Sequence, residues 1–229
     1  MSLNLSHLKN YTSKILWGII IIFCAFFLLK VYLWENYYYA EKEGSERATT
    51  EAVLENQDEL DETEPTEQEI AEYTVPASNP RYLTIPKLNI KNAKILSLGA
   101  KTSGELSTPA NIFDAGWYNQ SGTPGSGKTI VIDGHNGGPT KYGIFKQLPE
   151  LSEGDKIQIE RGDGKIFTYK VVENNQVSLS DANAYMKTAL TSPMEGIESL
   201  TIISCSGEWS NTKRTYLSRQ FVRAIIVNE

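Results

Sequence analysis

The sequence predicts a mainly β protein: a closed antiparallel β-barrel of about eight strands with short helices, preceded by one transmembrane helix. Two observations predict this fold class. From residue 79 onward, short runs of β-branched and aromatic residues alternate with Gly, Pro, Asn and Asp, which is typical of a barrel. Near the N-terminus, an apolar run of about 20 residues is long enough to cross a bilayer.

The apolar run at 15–34 is predicted to be an uncleaved signal anchor. Lys9 and Lys14 precede it and acidic residues dominate after it, so the positive-inside rule places residues 1–14 in the cytoplasm and the rest outside the cell. A cleaved signal peptide is the alternative interpretation. It would require small residues at the cleavage site, whereas bulky residues follow at 34–37.

Residues 35–78 are predicted to form an acidic, disordered linker. Between residues 41 and 72 there are 13 acidic and 2 basic side chains, and such a segment buries too little apolar surface to offset its chain entropy. Like charges extend the segment, so it is expected to be a spacer that holds a domain at 79–229 away from the membrane. That domain carries 17 basic and 14 acidic side chains, far from the charge of a nucleic-acid-binding surface.

The strands of this domain are predicted from apolar, β-branched runs bounded by turn residues. They fall at Arg81–Ile85, Ala93–Leu96, Thr129–Ile132, Lys156–Ile159, Ile166–Val172, Leu200–Ile203 and Phe221–Val227. Short helices are predicted only at Tyr142–Leu148 and Ala182–Leu190.

Residues 122–129 read Gly-Thr-Pro-Gly-Ser-Gly-Lys-Thr, which satisfies the spacing of a nucleotide-binding P-loop. A P-loop needs a helix N-terminus after it to bind phosphate, but the apolar residues 130–132 predict a strand. Pro124 also lacks one of the N–H donors that such a loop would use. We therefore predict a turn that leads into a strand, and no nucleotide binding.

Cysteine and histidine are rare, with two of each in the chain. Cys24 lies within the apolar run and His7 before it, so Cys205 and His135 are the only thiol and the only imidazole beyond it. No disulfide can form within the domain and no cluster has zinc-ligand spacing, so no metal and no cofactor is expected. A free thiol outside the cell is open to oxidation, which favours a functional Cys205 over a buried, inert one.

Both residues follow predicted strands at turns that contain Gly. His135 comes after the strand at 129–132, and Cys205 comes after the strand at 200–203. Functional side chains are commonly carried by loops at the rim of a rigid scaffold, so we expect the two to meet there. A thiol and an imidazole together suit nucleophilic catalysis.

Arg219 is a candidate third member of this site. A hairpin between the last two strands would bring it back beside Cys205, where a guanidinium can stabilise the oxyanion of acyl-transfer chemistry. Arg214 and Arg223 are rivals by sequence distance alone.

The residues around these positions resemble the sortases, cysteine transpeptidases of mainly Gram-positive cell surfaces. Thr-Ile-Ile-Ser-Cys at 201–205 resembles the family signature Thr-Leu-x-Thr-Cys, and Ile-Val-Ile-Asp-Gly-His at 130–135 resembles the strand that carries the family histidine. Arg219 opens the last strand, as the family arginine does, a context that neither rival has. Other landmarks follow in family order over nearly all of 79–229: Leu83–Pro86, Thr108-Pro109, Gly116–Tyr118, Pro124-Gly125, Phe145–Leu148, Leu151–Asp155 and Tyr169–Val171.

The resemblance implies a mechanism. Cys205 would attack the backbone carbonyl of a sorting signal resembling Leu-Pro-x-Thr-Gly at the C-terminus of a protein substrate, forming a thioester that an amine of a cell-wall peptidoglycan precursor resolves. His135 would be the general acid and base, and Arg219 would hold the oxyanion. The segment 176–200 would shape signal recognition. The stretch 205–209 is loosely similar to class F, and the Asp-Pro-aromatic lid motif typical of pilin-polymerising members is not seen ahead of the barrel.

Ordinary pKa values are unfavourable for a thiolate–imidazolium pair. With about 8.5 for Cys205 and 6.5 for His135, roughly 1% of molecules would hold the pair. Either the site lowers the pKa of the thiol, or the enzyme works through a small reactive fraction. Asp133 shares a face with His135, and is placed to orient it, only if the strand stays regular past Gly134.

Two other functions remain open from the residues alone. The first is another cell-wall thiol peptidase or an L,D-transpeptidase, although those transpeptidases place Gly-Cys-x-Arg at the nucleophile and here Ser-Gly follows Cys205. The second is a non-catalytic adhesion or scaffold module. It predicts a buried, unreactive Cys205 far from His135.

Overall fold

The structure is a computed structural model that describes Phe27 and residues 29–32, 60–101 and 106–227. Contacts divide the chain into two units, Met1–Ala52 and Val53–Glu229, and the description below concerns the second. In the first, Phe27 and residues 29–32 are helical; the rest of the predicted anchor and tail lies outside the described residues. Among the residues described, no helix combines the length and the apolar character that a membrane crossing needs.

Eight strands close into a barrel in the order β1-β2-β3-β4-β7-β8-β6-β5. They are β1 (Pro80–Ile85), β2 (Ile90–Leu98), β3 (Ala115–Tyr118), β4 (Thr129–Gly134), β5 (Lys156–Arg161), β6 (Ile166–Ser178), β7 (Ser199–Ser210) and β8 (Thr215–Val227). Two α-helices, α1 (Glu67–Glu72) and α2 (Leu179–Ala189), and two 3-10 turns, Pro86–Leu88 and Leu148–Glu150, accompany them. The predicted closed barrel of about eight strands is confirmed.

The expectation of a purely antiparallel barrel is wrong, because two of its strand pairs are parallel. β2 pairs with β3 in parallel, and β4 pairs with β7 in parallel, with Gly134 opposite Ser204 at the end of that ladder. Parallel strands are usually covered on both faces and are apolar throughout. Residues 130–132 and 200–203 fit this pattern, since every one of them is buried.

The seven predicted strands are all present and each is longer than predicted, but only three of them extend by six residues or more. β6 continues to Ser178, β7 to Ser210, and β8 begins at Thr215, so β7 and β8 form a long hairpin. Polar residues dominate these extensions, and the hydrophobic pattern used for prediction does not register them. β3 was not predicted, because Ala-Gly-Trp-Tyr at 115–118 is short and contains Gly.

Of the two predicted helices, one is confirmed and one is wrong. α2 covers most of the predicted segment, and Ser178 caps its N-terminus by accepting a hydrogen bond from the Asp181 N–H. The segment 142–148 instead forms turns that end in the 3-10 turn Leu148–Glu150. Gly143 has low helix propensity, and Pro149 disfavours a helical backbone at the residue before it.

The prediction of disorder is wrong for residues 60–78, which pack on the barrel; residues 35–59 lie outside the described part. Thr66 and Glu69 form a reciprocal capping box at the start of α1. The Tyr73 hydroxyl donates to the Ile95 carbonyl at 2.6 Å, and the Tyr82 hydroxyl donates to the Ile70 carbonyl. Four of the acidic side chains here, Asp61, Glu62, Glu69 and Glu72, accept hydrogen bonds from backbone or side-chain donors, so charge density alone overstated disorder.

The apolar residues separate into two clusters because side chains alternate along each strand. The larger, called here the barrel core, fills the barrel and includes Ile130, Ile132, Leu200 and Ile202. The smaller, called here the outer cluster, lies on the other face of β4, β7 and β8 beneath α2. It consists of Val131, Ala189, Ile203 and Phe221 with the partly buried Leu106, Tyr118, Val177, Tyr185 and Met186.

The P-loop-like segment is a turn that leads into β4, as predicted. Its Gly125 and Gly127 N–H groups donate to the two oxygens of the Glu198 carboxylate at 3.0 and 2.7 Å. The Tyr169 hydroxyl donates to the same carboxylate at 2.7 Å. These backbone donors are therefore occupied by an acidic side chain of the protein itself, which joins the turn to the start of β7.

Candidate active site

Cys205 and Arg219 face each other across the β7–β8 hairpin. Their Cα atoms are register partners in the antiparallel ladder, a relation that brings side chains to about 5 Å at Cβ. Both are partly exposed. Cys205 lies within β7 and not at its end as expected, because the hairpin continues for five more residues to Ser210. The expected proximity of Arg219 to Cys205 is found.

His135 directly follows β4, one residue beyond the Gly134–Ser204 pair of the parallel ladder. Extending that register by one step places His135 alongside Cys205 on the neighbouring strand. A Cβ at Gly134 would lie 2.6 Å from the Phe145 ring, so glycine is required for that ring to pack beneath the turn. His135, Cys205 and Arg219 thus lie side by side across the neighbouring strands β4, β7 and β8.

The imidazole of His135 is held by a backbone carbonyl. Its Nε2 lies 2.7 Å from the Pro109 oxygen. A carbonyl oxygen only accepts, so Nε2 carries the proton and Nδ1 has the free lone pair. Sequence reasoning placed Thr108-Pro109 among the family landmarks but did not identify this contact. No residue type signals it, because any amino acid supplies a carbonyl.

The electrostatics of the site widen the gap between thiol and imidazole. Burial raises the pKa of Cys205; the charge of Arg219 lowers it and that of Asp133 raises it, both by less. Burial lowers the pKa of His135, and the hydrogen bond with Pro109 partly opposes this. Both desolvation effects disfavour the charged forms, so neutral thiol and neutral imidazole predominate at neutral pH.

The rival arginines are placed elsewhere. Arg223 is buried, with its guanidinium bonded to the Glu173 carboxylate at 2.8 Å and to the Thr191 carbonyl at 2.8 Å. Arg214 lies in the hairpin turn with a left-handed φ of 50°. The Arg219 guanidinium donates to the Tyr216 and Ser218 carbonyls at 3.1 and 3.0 Å, which fixes it on its own strand.

Asp133 does share the face of His135, since β4 stays regular to Gly134. Its carboxylate, however, accepts a hydrogen bond from the Thr108 hydroxyl at 3.2 Å, while the imidazole contacts the Pro109 carbonyl. Burial raises the pKa of Asp133 to about 7, with the Thr108 bond opposing the shift. Asp133 therefore acts on the site through its charge, and the orienting contact comes from Pro109.

The outer cluster continues from this site along the same faces of the strands. Ile203 lies two residues before Cys205 and Val131 lies four before His135, so the cluster begins about 7 Å from the thiol. Tyr185 of α2 packs on Phe221 with ring centroids 4.8 Å apart. The Thr201 hydroxyl donates to the Ala189 carbonyl at 2.8 Å, which ties the end of α2 to β7.

An open cavity of about 540 Å³ lies at the opposite end of β4. Its walls include Tyr118, Thr129, Leu190 and Ile197. Thr129 is six residues from His135, or roughly 20 Å along the strand, so the cavity is separate from the thiol. Across residues 60–101 and 106–227, no group of three or more His, Cys, Asp or Glu side chains is arranged to hold a metal ion.

The barrel is similar to known proteins over nearly its whole length. The sequence model of the sortase-domain family matches residues 83–227 of this chain. Among solved structures, sortase C1 of Streptococcus agalactiae is similar at 22% identity and a TM-score of 0.50, covering 72% of this chain and 78% of that one. Sortase A of Corynebacterium diphtheriae is similar at 20% identity and a TM-score of 0.48, covering 86% of this chain and 90% of that one. A sortase D5 transpeptidase of Clostridium perfringens is similar at 20% identity and a TM-score of 0.46, covering 80% and 98%.

No protein with a curated function matches the chain significantly. The family match nonetheless spans well over half of the chain, from β1 to the end of β8, and includes the strands on which Cys205, His135 and Arg219 meet. The solved structure of sortase C1 agrees with it in fold. The chain belongs to the sortase family, the cysteine transpeptidases that act on sorting signals.

Proposed function

We propose that this protein is a membrane-anchored, outward-facing sortase that cleaves a sorting signal resembling Leu-Pro-x-Thr-Gly and transfers the acyl group to a cell-wall amine. One observation carries the proposal: Cys205 and Arg219 are register partners on antiparallel strands, and His135 follows the adjacent parallel strand. This arrangement on neighbouring strands supports the roles of nucleophile, acid–base group and oxyanion donor for Cys205, His135 and Arg219.

Cys205 is the nucleophile. Its sulfur forms a bond to the carbonyl carbon of the threonine in the signal, and Arg219 stabilises the oxyanion of the tetrahedral intermediate. The C–N bond then breaks, and the departing amine takes a proton from His135. An acyl-enzyme thioester remains. The acceptor amine attacks it, passes a proton back to His135 and releases the thiolate.

Proton transfer is assigned to Nδ1 of His135, because Nε2–H is engaged by the Pro109 carbonyl. Since burial raises the pKa of the thiol and lowers that of the imidazole, the reactive ion pair is a minor species. The expected pH profile of kcat/KM is bell-shaped. Activity falls below the pKa of His135, where the thiol cannot ionise, and above the pKa of Cys205, where the imidazole cannot hold its proton.

The partly buried members of the outer cluster supply the apolar surface for the signal, and its buried members support them from beneath. In an extended peptide, the leucine lies three residues before the threonine whose carbonyl is attacked, or roughly 10 Å away. The outer cluster begins closer than this and extends further along β4 and β7. Tyr185 and Met186, which are partly buried at its edge, are the side chains of segment 176–200 best placed to contact the leucine and proline.

Location at the membrane rests on the sequence of residues 15–34, with the N-terminus in the cytoplasm and the barrel outside. The test is fractionation of cells that express the full chain. Protein that stays in membranes after alkaline extraction, and whose barrel is digested when protease is added to intact protoplasts, supports this location. Release by alkali, or protection from the protease, contradicts it.

The activity is tested by incubating the full chain with a panel of signal peptides and an amine acceptor such as triglycine. Leu-Pro-x-Thr-Gly peptides should be cleaved after threonine and joined to the acceptor, with Cys205→Ala as the inactive control. A peptide with the same composition in scrambled order should not react. Reaction only with peptidoglycan stem peptides would favour the alternative cell-wall thiol transpeptidase, and no reaction with any thiol-directed substrate would favour an adhesion module.

A further inference from the structure

The segment directly ahead of α1 touches both loops that surround His135. This segment, residues 60–64, is called here the strap. It belongs to the stretch that composition alone predicted to be a disordered spacer, yet it lies against the barrel. Its contacts involve two loops, one leading from β2 to β3 and the other following β4.

The first loop is held through Asp61, which forms a parallel β-bridge with Asn111. The Asp61 N–H donates to the Ala110 carbonyl at 2.9 Å, and the Ile112 N–H donates to the Asp61 carbonyl at 2.9 Å. The side-chain amide of Asn111 donates to the Asp61 carboxylate at 2.9 Å. Ala110 directly follows Pro109, whose carbonyl holds the imidazole of His135.

The second loop is held through the carboxylate of Glu62. Its Oε1 accepts from the Thr140 N–H at 2.8 Å and from the Lys141 N–H at 3.0 Å, and its Oε2 accepts from the Thr140 hydroxyl. A Cβ at Gly138 would collide with the same carboxylate, so a larger residue there would displace the Glu62 side chain. Glu62 thus satisfies two backbone N–H donors at the tip of this loop, those of Thr140 and Lys141.

Both loops meet at His135. The second loop begins at this residue and returns to it, since the Phe145 N–H donates to the His135 carbonyl at 2.9 Å. The Ile144 N–H donates to the Ile112 carbonyl at 2.9 Å, which joins the two loops to each other. The strap therefore contacts both the loop whose Pro109 carbonyl holds the imidazole and the loop that follows His135.

We propose that the strap is a positioning clamp for His135: by bridging the 109–112 loop and the 138–141 loop, it fixes the imidazole against the Pro109 carbonyl and so selects the Nε2–H tautomer. Asp61 and Glu62 are positioning residues, because they act through backbone groups and do not touch the reacting atoms. The effect on turnover rests on the proposed function. The effect on the imidazole does not.

Glu62→Ala tests the clamp in the full-length chain, with Glu64→Ala as the matched control. Glu64 is in the same strap and carries the same charge, but its contact is an exposed ion pair with Lys141 at 3.5 Å, which contributes little. Glu62→Gln is the conservative variant, since its amide oxygen can still accept from the Thr140 and Lys141 N–H groups.

The direct readout is the tautomer of His135, measured from the ring ¹⁵N shifts of histidine-labelled protein. His7 is the only other histidine and serves as an internal reference. Wild type and Glu64→Ala should show the Nε2–H tautomer at His135. Glu62→Ala should show a mixture, and Glu62→Gln an intermediate state. A tautomer unchanged in Glu62→Ala, or disturbed equally in Glu64→Ala, overturns the clamp.

Turnover of a signal peptide is the second readout. Glu62→Ala should lower kcat roughly tenfold, less than the hundredfold that a 1 Å misplacement can cost, with KM within about twofold. Glu62→Gln should recover most of the loss; a loss as large as that of Glu62→Ala counts against the clamp. If wild type turns over no signal peptide, the proposed function fails while the tautomer still decides the clamp. Should Glu62→Ala not fold, Thr140→Ala, which removes one of the three bonds, takes its place.

Discussion

The two faces of β4, β7 and β8 carry different tasks although both are largely buried. The inward face contributes Ile130, Ile132 and Ile202 to the barrel core, where each is fully buried among apolar neighbours. The outward face carries the outer cluster and then a polar set at the same end of the strands: Asp133, His135, Cys205 and Arg219.

The difference shows how one ladder of backbone hydrogen bonds serves stability and chemistry together. Packing of the inward residues fixes the positions of the strands. Because side chains alternate between the two faces, this packing also fixes the positions of the outward residues. Desolvation on the outward face is also what shifts the pKa values of Asp133, His135 and Cys205. Variants on the two faces should therefore separate the two tasks.

The largest expected effect is loss of activity without loss of stability at Cys205. Cys205→Ala should reduce transpeptidation at least about 1,000-fold, because the covalent intermediate cannot form. The thermal midpoint should change by no more than a few degrees, since a partly exposed side chain is replaced. Peptide turnover and calorimetry measure the two quantities. Residual turnover near that of wild type would remove Cys205 from the site.

The next effect is at Arg219. Arg219→Gln should lower kcat/KM by about 100- to 1,000-fold, as loss of an oxyanion donor does, and should shift the pH midpoint of Cys205 alkylation upward because a charge that lowers the thiol pKa is removed. Cys24→Ala provides a background with one thiol. Arg214→Gln, in the hairpin turn, is the control. Equal losses from both variants would mean that charge near the hairpin, and not the position opposite Cys205, is what matters.

Two adjacent residues compare the faces directly. Ile202→Ala removes a fully buried side chain of the barrel core and should lower the free energy of unfolding by about 2–5 kcal/mol, with kcat/KM of the folded protein unchanged. Ile203 is also buried but lies on the outward face two residues from Cys205, so Ile203→Ala should lower stability as well and, unlike Ile202→Ala, raise KM for the signal peptide. Denaturant unfolding and steady-state kinetics distinguish them. A stability loss without a change in KM at Ile203 would make the outer cluster purely structural.

The smallest effect is a pH dependence from Asp133. Because burial raises its pKa to about 7 in the folded protein, from an ordinary 3.8, the folded state loses stability relative to the unfolded state as pH rises from about 4 to 7. Asp133→Asn should therefore raise the thermal midpoint by several degrees at pH 8 and leave it unchanged at pH 3. It should also lower the pH midpoint of Cys205 alkylation.

Asp163 provides a control of opposite sign. Hydrogen bonds from Arg161 hold its pKa at about 2, so its contribution to stability is present above pH 4 and is lost as the pH falls toward 2. Asp163→Asn should slightly lower the thermal midpoint at pH 8 and leave Cys205 alkylation unaltered. A shift in the same direction in both variants would show that net charge, and not local burial, is responsible.

Much of the site was predictable from the sequence because rare residue types carry it. A single thiol and a single imidazole beyond the apolar run left no rival for Cys205 or His135, and the landmarks around them are ordered along the chain. Arg219 required the hairpin as well, since Arg214 and Arg223 are the same residue type. Register decided between them: Arg219 pairs with Cys205, whereas Arg223 pairs with Thr201.

Prediction from the sequence was wrong where hydrogen bonds of backbone groups or of carboxylates decide the structure. The strap was predicted to be disordered because its composition is acidic, but its carboxylates accept hydrogen bonds from donors that are remote in sequence, such as Thr140. The segment 142–148 has an apolar pattern that suits a helix, and Gly143 and Pro149 prevent one. β3 is too short for any periodicity to reveal it.

By itself, the sequence determined the candidates for the reactive groups, the division between an apolar run, an acidic stretch and a β domain, and the approximate strand positions. These follow from composition and local periodicity. Only the tertiary structure decided the two parallel pairings, the carbonyl that holds His135, the face on which Asp133 lies and the contacts of the strap with two loops. Each of these depends on which backbone donors and acceptors meet across long sequence separations, and residue type does not encode that locally.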